Sequence, residues 1–337
     1  MARAAVLVQN WLEVIQRANL STGKEMDVVS RWLIITRVAV FSMTLTSGLI
    51  GGLLAAAVGP IAWTPFVLAV LGLVLAHAAN NMINDYFDLT GGVDTPDYYR
   101  AQYAPHPILA GLISKSGLRN AILLVNALDV VIGLYLVSVR GWPVLLFAGC
   151  GLFISVFYVA PPIRLKHIGL GELGVFIVWG PLMIGGTYYC AAGAVPPWVF
   201  AAGLPYALLV TTVLIGKHLD KFEQDTARGI HTLPILLGYQ TSIRLNQALM
   251  VAFYVVILGL VATHILGVWT LLVVFSVPRL IRVLKLYSAP KPAVPPPNFP
   301  VWPLWYVAGA FYLNKLSGAL FIAGLVLNLV LPNRLPM

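Results

Sequence analysis

Seven of the twelve acidic residues in this 337-residue chain fall in two short windows, 85–97 and 220–225. The first runs Asn81-Met-Ile-Asn84-Asp85-Tyr-Phe-Asp88-Leu-Thr-Gly91-Gly92-Val-Asp94, and the second Lys217-His-Leu-Asp220-Lys-Phe-Glu223-Gln-Asp225. Carboxylates and carboxamides offer oxygen ligands, too few here for a complete cage. That donor set suits Mg²⁺, which keeps its own waters and binds substrate phosphates. Two such windows facing across a cavity would hold Mg²⁺ on a diphosphate and draw off charge as it leaves. On a helix His77, Asn81, Asn84 and Asp88 share one face, with Asp85 beside it. Gly91 and Gly92 then free the chain, so that Asp94 turns back. The competing reading is two solvated acidic loops capping helix ends. It fits poorly, because acids at helix C-termini oppose the macrodipole.

The elements that must position these windows are membrane helices. Charged residues make up 10% of the chain and hydrophobic ones 59%, where a soluble protein carries about 25% charged. Mean hydropathy is +0.87. These values exclude disorder and a secreted disulfide scaffold. Cys150 and Cys190 lack a paired spacing and read as small buried hydrophobes. With about 20 apolar residues per span, helices are expected at 33–58, 63–83, 119–139, 142–159, 170–190, 196–217, 244–264, 266–286 and 302–331. Residues 1–31 form a separate segment in which Val6, Leu7, Trp11, Val14 and Ile15 suggest an interfacial helix. Lys291 to Pro300 reads as a stiff extended connector.

Eighteen of the 21 Lys and Arg residues precede the first span, lie at its start, or flank even-numbered loops. Arg140 and Arg334 fall on the opposite face, and Lys315 lies in the last span. The bias puts the N-terminus and both windows in the cytoplasm and the C-terminus outside. The net charge of +9 therefore speaks for membrane lipids rather than nucleic acid as its partner. Each window is followed by a related segment, HPILAG from His106 and HTLPILLG from His231. The expected fold is all-α: a 32–337 membrane domain with pseudo-repeated four-helix halves, roughly 32–165 and 166–290, plus a ninth helix. Parallel repeats place a shared site between the halves, here in a central lipid-open cavity.

At this point the sequence resembles the UbiA superfamily of intramembrane prenyltransferases. Asn84-x-x-x-Asp88, with Asp94 at a longer spacing, matches the motif after the family's second helix. HPILAGLIS (106–114), the stretch from Tyr158 to Tyr189 and GIHTLPILLG (229–238) extend the likeness over most of the chain. The Leu165–Tyr189 pattern is most similar to the naphthoate prenyltransferases of menaquinone formation. The resemblance implies nine helices around a lipid-facing cleft and Mg²⁺-dependent ionisation of a polyprenyl diphosphate. An aromatic acceptor then attacks, making the chain a transferase of an alkyl group other than methyl. It implies that Asn84, Asp88 and Asp94, supported by Asp85, hold one Mg²⁺, and that Asp220 and Asp225 hold another. Tyr158 and Lys166 would contact the diphosphate; Asp88, Asp220 and Lys166 would carry catalysis. The second motif is one residue longer than the family's. Glu223 is positioned to replace one of its aspartates, and Lys217 to bind phosphate directly.

Asn81, Arg164 and Arg228 complete the expected substrate-binding set; for Arg164, lipid headgroup contact is an equal alternative. Asp129 stands alone in mid-span, either functional or bonded between helices. His77 reads as an interhelical hydrogen-bond former. Phe87, Phe157, Trp179, Tyr188 and Tyr189 either shield a cation or pack. His106, His218 and His231 show no carboxylate partner in sequence. The expected acceptor is 1,4-dihydroxy-2-naphthoate, with 4-hydroxybenzoate, homogentisate or a lipid alcohol as alternatives. The alternative of another class is an ion- or lipid-binding transporter. No obligate protein partner is implied.

Overall fold

The computed structural model describes residues 2–297, 299 and 301–331. Among them there are helices and no strand, only one isolated bridge between Ile168 and His231. α1 (Ala2–Arg17) and α2 (Val28–Ile35) form a hairpin ahead of the membrane part. α1 buries Val14 against Leu20 and Ile34 and leaves Val6, Val8, Leu12 and Ile15 exposed. Asp27 caps α2 through the N–H groups of Val29 and Ser30, and also accepts from Trp11 Nε1 at 2.9 Å. At Arg37 the backbone turns left-handed, φ 56°, and feeds α3 (Phe41–Ala56).

Among the described residues, seven stretches are long and apolar enough to cross a membrane. They are Val38–Ala56, which contains α3; α4 (Trp63–Thr90); α6 (Lys115–Arg140); Gly171–Ala192; α10 (Pro197–Asp220); α13 (Tyr239–Ala262); and α15 (Tyr306–Val330). The Gly171–Ala192 span consists of α8 (Gly171–Ile177) and α9 (Met183–Ala192), joined by a wide π turn that contains Pro181. Short helices lie between the spans: α5 (Tyr99–Tyr103), α11 (Phe222–Ala227) and α12 (Leu233–Leu237).

Two of the nine expected spans take another form. The 142–159 segment is α7 (Pro143–Phe157), whose 15 residues reach about 22 Å against a hydrocarbon core of about 30 Å. The 266–286 segment splits into a 3₁₀ stretch, Val268–Ser276, and α14 (Val277–Ser288). Arg279, Arg282 and Lys285 recur every three residues along α14. The result is an amphipathic helix in place of a uniformly apolar one. The 291–300 connector lies partly outside the described residues.

Packing divides the molecule unevenly. One large core joins α3, α9, α10, α13 and α15 around Tyr206, Phe253, Tyr287, Tyr306 and Phe321. α3 reaches α9 through Gly51, where a Cβ would stand 2.4 Å from the Ile184 carbonyl oxygen. Small residues permit such close approach in a membrane, where packing replaces the hydrophobic drive. By contrast, α6 and α7 expose Leu123, Val131, Leu134, Leu145 and Leu152. Between the two parts lies a cavity of about 650 Å³.

Candidate active site

The cavity is polar at one end and apolar through the rest. Arg37, His77, Asn81, Asn84, Arg100, Tyr158 and Lys217 line the polar end. Leu73, Leu136, Phe147, Val178 and Met183 line the apolar part. It continues to Val130, Leu134, Leu145 and Leu152, residues that are themselves exposed between α6 and α7. An apolar chain can thus lie in the cavity with its end in membrane hydrocarbon while a charged head sits among the basic groups.

α4 delivers the first window as its sequence pattern predicts. The His77–Asn81–Asn84 face looks into the cavity, and Asp88 is buried one turn on. His77 Nδ1 is 2.7 Å from Thr44 Oγ1, joining α4 to α3. Asn81 donates to the Thr36 carbonyl at 3.0 Å. Gly92, φ +75°, turns the chain back, and the N–H groups of Val93 and Asp94 both donate to the Asp88 carbonyl, at 2.8 and 3.0 Å.

The acids of this window are not equivalent. Asp85 is enclosed by cations. Arg100 grips it with Nε and Nη2 at 3.0 and 3.1 Å, and Arg37 bonds the same carboxylate. Burial works against the Arg37 charge, but Asp85 more than compensates and holds its pKa above the usual value. Asp88 receives Lys166 Nζ at 2.7 Å on both oxygens. Asp94 is buried, and neither of its oxygens accepts a hydrogen bond. His106 Nε2 approaches it to 3.3 Å without hydrogen-bond geometry. His106 Nδ1 accepts from the N–H groups of Ile108 and Leu109, at 3.2 and 3.3 Å. The ring proton therefore sits on Nε2. His106 faces Asp85 and Asp94 as a donor, so the Asp85–Asp94–His106 cluster is not a histidine metal site.

The second window is arranged differently. Asp220 accepts from the N–H groups of Tyr306 and Val307, at 3.1 and 3.0 Å, and from Lys291 Nζ at 3.2 Å. It thus caps the start of α15 from another helix, satisfying N–H groups that a helix cannot satisfy itself. Gly216 permits the approach, since a Cβ there would meet the Val307 nitrogen at 2.9 Å. This use of both oxygens runs against the expectation that Asp220 holds a metal. Glu223 is exposed on α11 and forms no ion pair among the described residues, so it does not substitute for Asp220.

Asp225 is buried and does meet the first window. Tyr98 donates its hydroxyl to Oδ1, Lys221 Nζ lies 3.4 Å from the same oxygen, and Oδ2 has no partner. Burial pushes the Asp225 carboxyl up, but Lys221, His218 and the Tyr98 hydroxyl outweigh it and hold the carboxyl below its ordinary range. The Tyr98 ring lies between Lys221 Nζ and Arg228 Cζ, each 4.5 Å from its centroid. Gln224 accepts the Tyr99 N–H at 2.8 Å, and Arg228 donates to Thr95 at 3.0 Å. The loop after α4 and helix α11 are thereby clamped into one cap. Arg228 belongs to that clamp.

The loop after α7 supplies Lys166 and Tyr158. Lys166 N–H donates to the Tyr158 carbonyl at 3.0 Å, and the Tyr158 hydroxyl is buried with no partner. Burial, then Glu172 and Asp88, keep that phenol protonated far above its usual range. Arg164 is exposed although Lys166 is buried. An extended segment would put both on one side, but residues 165–167 form a 3₁₀ turn, which rotates them apart. Lys217 lines the cavity and, among the described residues, has no ion-pair partner.

Arg37, Arg100 and Lys221 count among the topology signals in the sequence, but the fold buries Arg100 and Lys221 and half-buries Arg37, each beside an acid. A buried pair was also out of its reach: His218 Nδ1 stands 2.6 Å from Glu172 Oε1. Of the aromatic candidates, Trp179 lines the cavity and packs edge-on to His77 at 5.2 Å. Asp129 lines the apolar part beside Gly72.

The site fits a divalent cation on its own terms. A buried carboxylate with no donor on either oxygen is costly unless a cation or proton joins it. Asp94 and the free oxygen of Asp225 are such groups, and Asn84, on the helix that leads to Asp94, lines the cavity.

The comparisons agree with this architecture. A UbiA homolog from Aeropyrum pernix K1 superposes with a TM-score of 0.65 at 18% identity, covering 86% of this chain and 98% of that one. One from Archaeoglobus fulgidus, bound to GPP and Mg²⁺, superposes at 0.54 and 15% identity, covering 86% and 99%. The 1,4-dihydroxy-2-naphthoate octaprenyltransferase of Bacillus subtilis is 24% identical over 225 residues, 65% of this chain and 70% of that protein. The 2-carboxy-1,4-naphthoquinone phytyltransferase of Synechocystis is 27% identical over 253 residues, 74% and 78%. The profile of the UbiA prenyltransferase family matches residues 44–304, most of the chain, which therefore belongs to this family of integral membrane enzymes.

Proposed function

We propose that this enzyme transfers a polyprenyl group from a polyprenyl diphosphate to an aromatic quinone precursor, with Mg²⁺ on the diphosphate. The acceptor that best fits the naphthoate-acting relatives is 1,4-dihydroxy-2-naphthoate. The observation that carries the reading is Asp94, a buried carboxylate whose oxygens accept no hydrogen bond, on the loop after α4, the helix whose Asn81 and Asn84 line the charged end of an apolar cavity open toward lipid. A transported ion would not need the apolar part of this 650 Å³ cavity.

Asn84, Asp88, Asp94 and Asp225 are the groups that would hold the cation, which when bound offsets charge developing on the diphosphate. Lys166 bonds Asp88 and would turn its ammonium to a phosphate oxygen. Lys217 and the Tyr158 hydroxyl reach the same end as donors. Asp85 anchors Arg37 and Arg100, Asn81 fixes the neighbouring chain, and Arg228 holds the cap. Arg164, exposed, is left to contact lipid headgroups. The allylic C–O bond breaks with its electron pair going to the diphosphate. The electron-rich ring carbon then bonds to C1 of the prenyl group and loses a proton, or carbon dioxide where it bears the carboxylate. The apolar walls and Trp179 keep water from the cation. In the cell the N-terminus and the charged end face the cytoplasm, as the basic residues direct.

The test is pyrophosphate release from a polyprenyl diphosphate by purified enzyme, with 1,4-dihydroxy-2-naphthoate and with other phenols, with and without Mg²⁺. Release dependent on both Mg²⁺ and acceptor is expected. A folded protein that releases none across a panel of chain lengths and acceptors would falsify the reading.

A further inference from the structure

The second acidic window is short of ligands for a metal of its own. Asp220 spends both oxygens on α15 and Lys291, and Glu223 is exposed. That leaves Asp225, whose Oδ1 already takes the Tyr98 hydroxyl and faces the Lys221 ammonium. Lys221 itself is buried, 5% exposed, and lies over the Tyr98 ring. Burial draws its pKa below the ordinary lysine value, and Asp225, Asp88 and Asp94 oppose that shift. We propose that the Lys221 ammonium occupies the place a second divalent cation would take, so that this enzyme binds its diphosphate with one metal ion, held chiefly by the first window.

The chemistry of the donors supports this. Mg²⁺ binds carboxylate oxygens at about 2.0–2.1 Å and demands near-octahedral geometry. The free Asp225 Oδ2 is the oxygen that would hold the first cation, so a second ion on Oδ1 would have to displace both the tyrosine hydroxyl and a buried ammonium of like charge. Lysine binds phosphate as a point charge, so Lys221 can supply a fixed positive charge toward the diphosphate without any metal. The inference rests on the reading of the cavity as a metal–diphosphate site, and the experiment separates the two.

The full-length protein in lipid nanodiscs is titrated with Mn²⁺ in the presence of an unreactive prenyl thiodiphosphate, and bound Mn²⁺ is counted by electron paramagnetic resonance. One Mn²⁺ per chain is expected for the wild type and two for Lys221→Asp. Lys221→Met should still bind one but hold the thiodiphosphate at least tenfold more weakly, and it serves as the deciding variant should Lys221→Asp fail to fold. Two ions in the wild type would overturn the proposal, as would one in folded Lys221→Asp or unchanged thiodiphosphate affinity in Lys221→Met. No ion at all in the wild type would instead bring down the metal–diphosphate reading and this proposal with it.

Discussion

The windows 85–97 and 220–225 each close a long apolar helix, and each contains an aspartate enclosed by the fold. Asp85 is held by Arg37 and Arg100, and Asp220 by Lys291 and the N–H groups that open α15. In both windows this first acid is architectural. The windows part company further along. The first continues past Gly91 and Gly92 to Asp94, whose oxygens accept no hydrogen bond although His106 Nε2 stands 3.3 Å away. The second ends on Asp225, which Lys221 and Tyr98 partly satisfy. A buried acid with all its partners present reports on the fold; a buried acid without them reports on a ligand.

The sharpest way to break this contrast is Asp94→Asn. It keeps shape and removes charge at a buried carboxylate neither of whose oxygens accepts a hydrogen bond. Turnover should fall by about 10³-fold, in line with losing a preorganised charge in a catalytic site, and the melting temperature should hold or rise. A turnover within tenfold of wild type would mean that Asp94 is not where the cation sits. Asp220→Ala should do the opposite. It strands Lys291 and two N–H groups, so stability should drop by about 3 kcal/mol, read as a shift in thermal or denaturant melting. The conservative Asp220→Asn should keep turnover per folded molecule within about tenfold. A 10³-fold loss there in a fully folded variant would restore Asp220 to the metal site and erase the difference between the windows.

Tyr98→Phe probes the clamp that joins them. The ring stays between Lys221 and Arg228, but Asp225 loses its hydroxyl donor at a cost of about 1–2 kcal/mol. The Tyr98 phenol is held protonated by burial and by Asp225, so the loss should be the same at pH 6 and pH 9. A pH-dependent loss would show that the hydroxyl titrates in that range and is not the fixed donor described here.

These contrasts also mark what could be read in advance. Seven of the expected spans follow from apolar run length, because a membrane helix needs little beyond length and hydropathy. The turn at Gly91–Gly92 and the His77–Asn84 face were legible because they depend on local geometry. Asp220 was not, since its partners lie 86 and 87 residues away. His218 and Glu172 meet across 46 residues for the same reason. Lys221 and Arg37 looked like topology signals because positive charge at a helix end serves orientation and site alike, and only burial separates the two uses. Arg164 was misplaced by a local feature, the 3₁₀ turn that replaces an extended segment.

Glu223 gives the smallest expected effect and the cleanest control on the comparison. It sits between Asp220 and Asp225 in sequence, at a spacing that suggests a ligand, yet α11 turns it outward into solvent. A ligand role would require the short helix to rotate, tearing Asp225 from Tyr98 and Gln224 from the Tyr99 N–H. Glu223→Gln should therefore leave turnover and Mg²⁺ dependence within about twofold and stability within about 0.5 kcal/mol, the usual range for an exposed substitution. A larger fall in turnover, with the apparent Mg²⁺ affinity weakened, would mean that α11 does rotate when diphosphate binds. The second window would then present its carboxylates to a metal, and the distinction between an open and a lysine-filled window would not hold through the reaction.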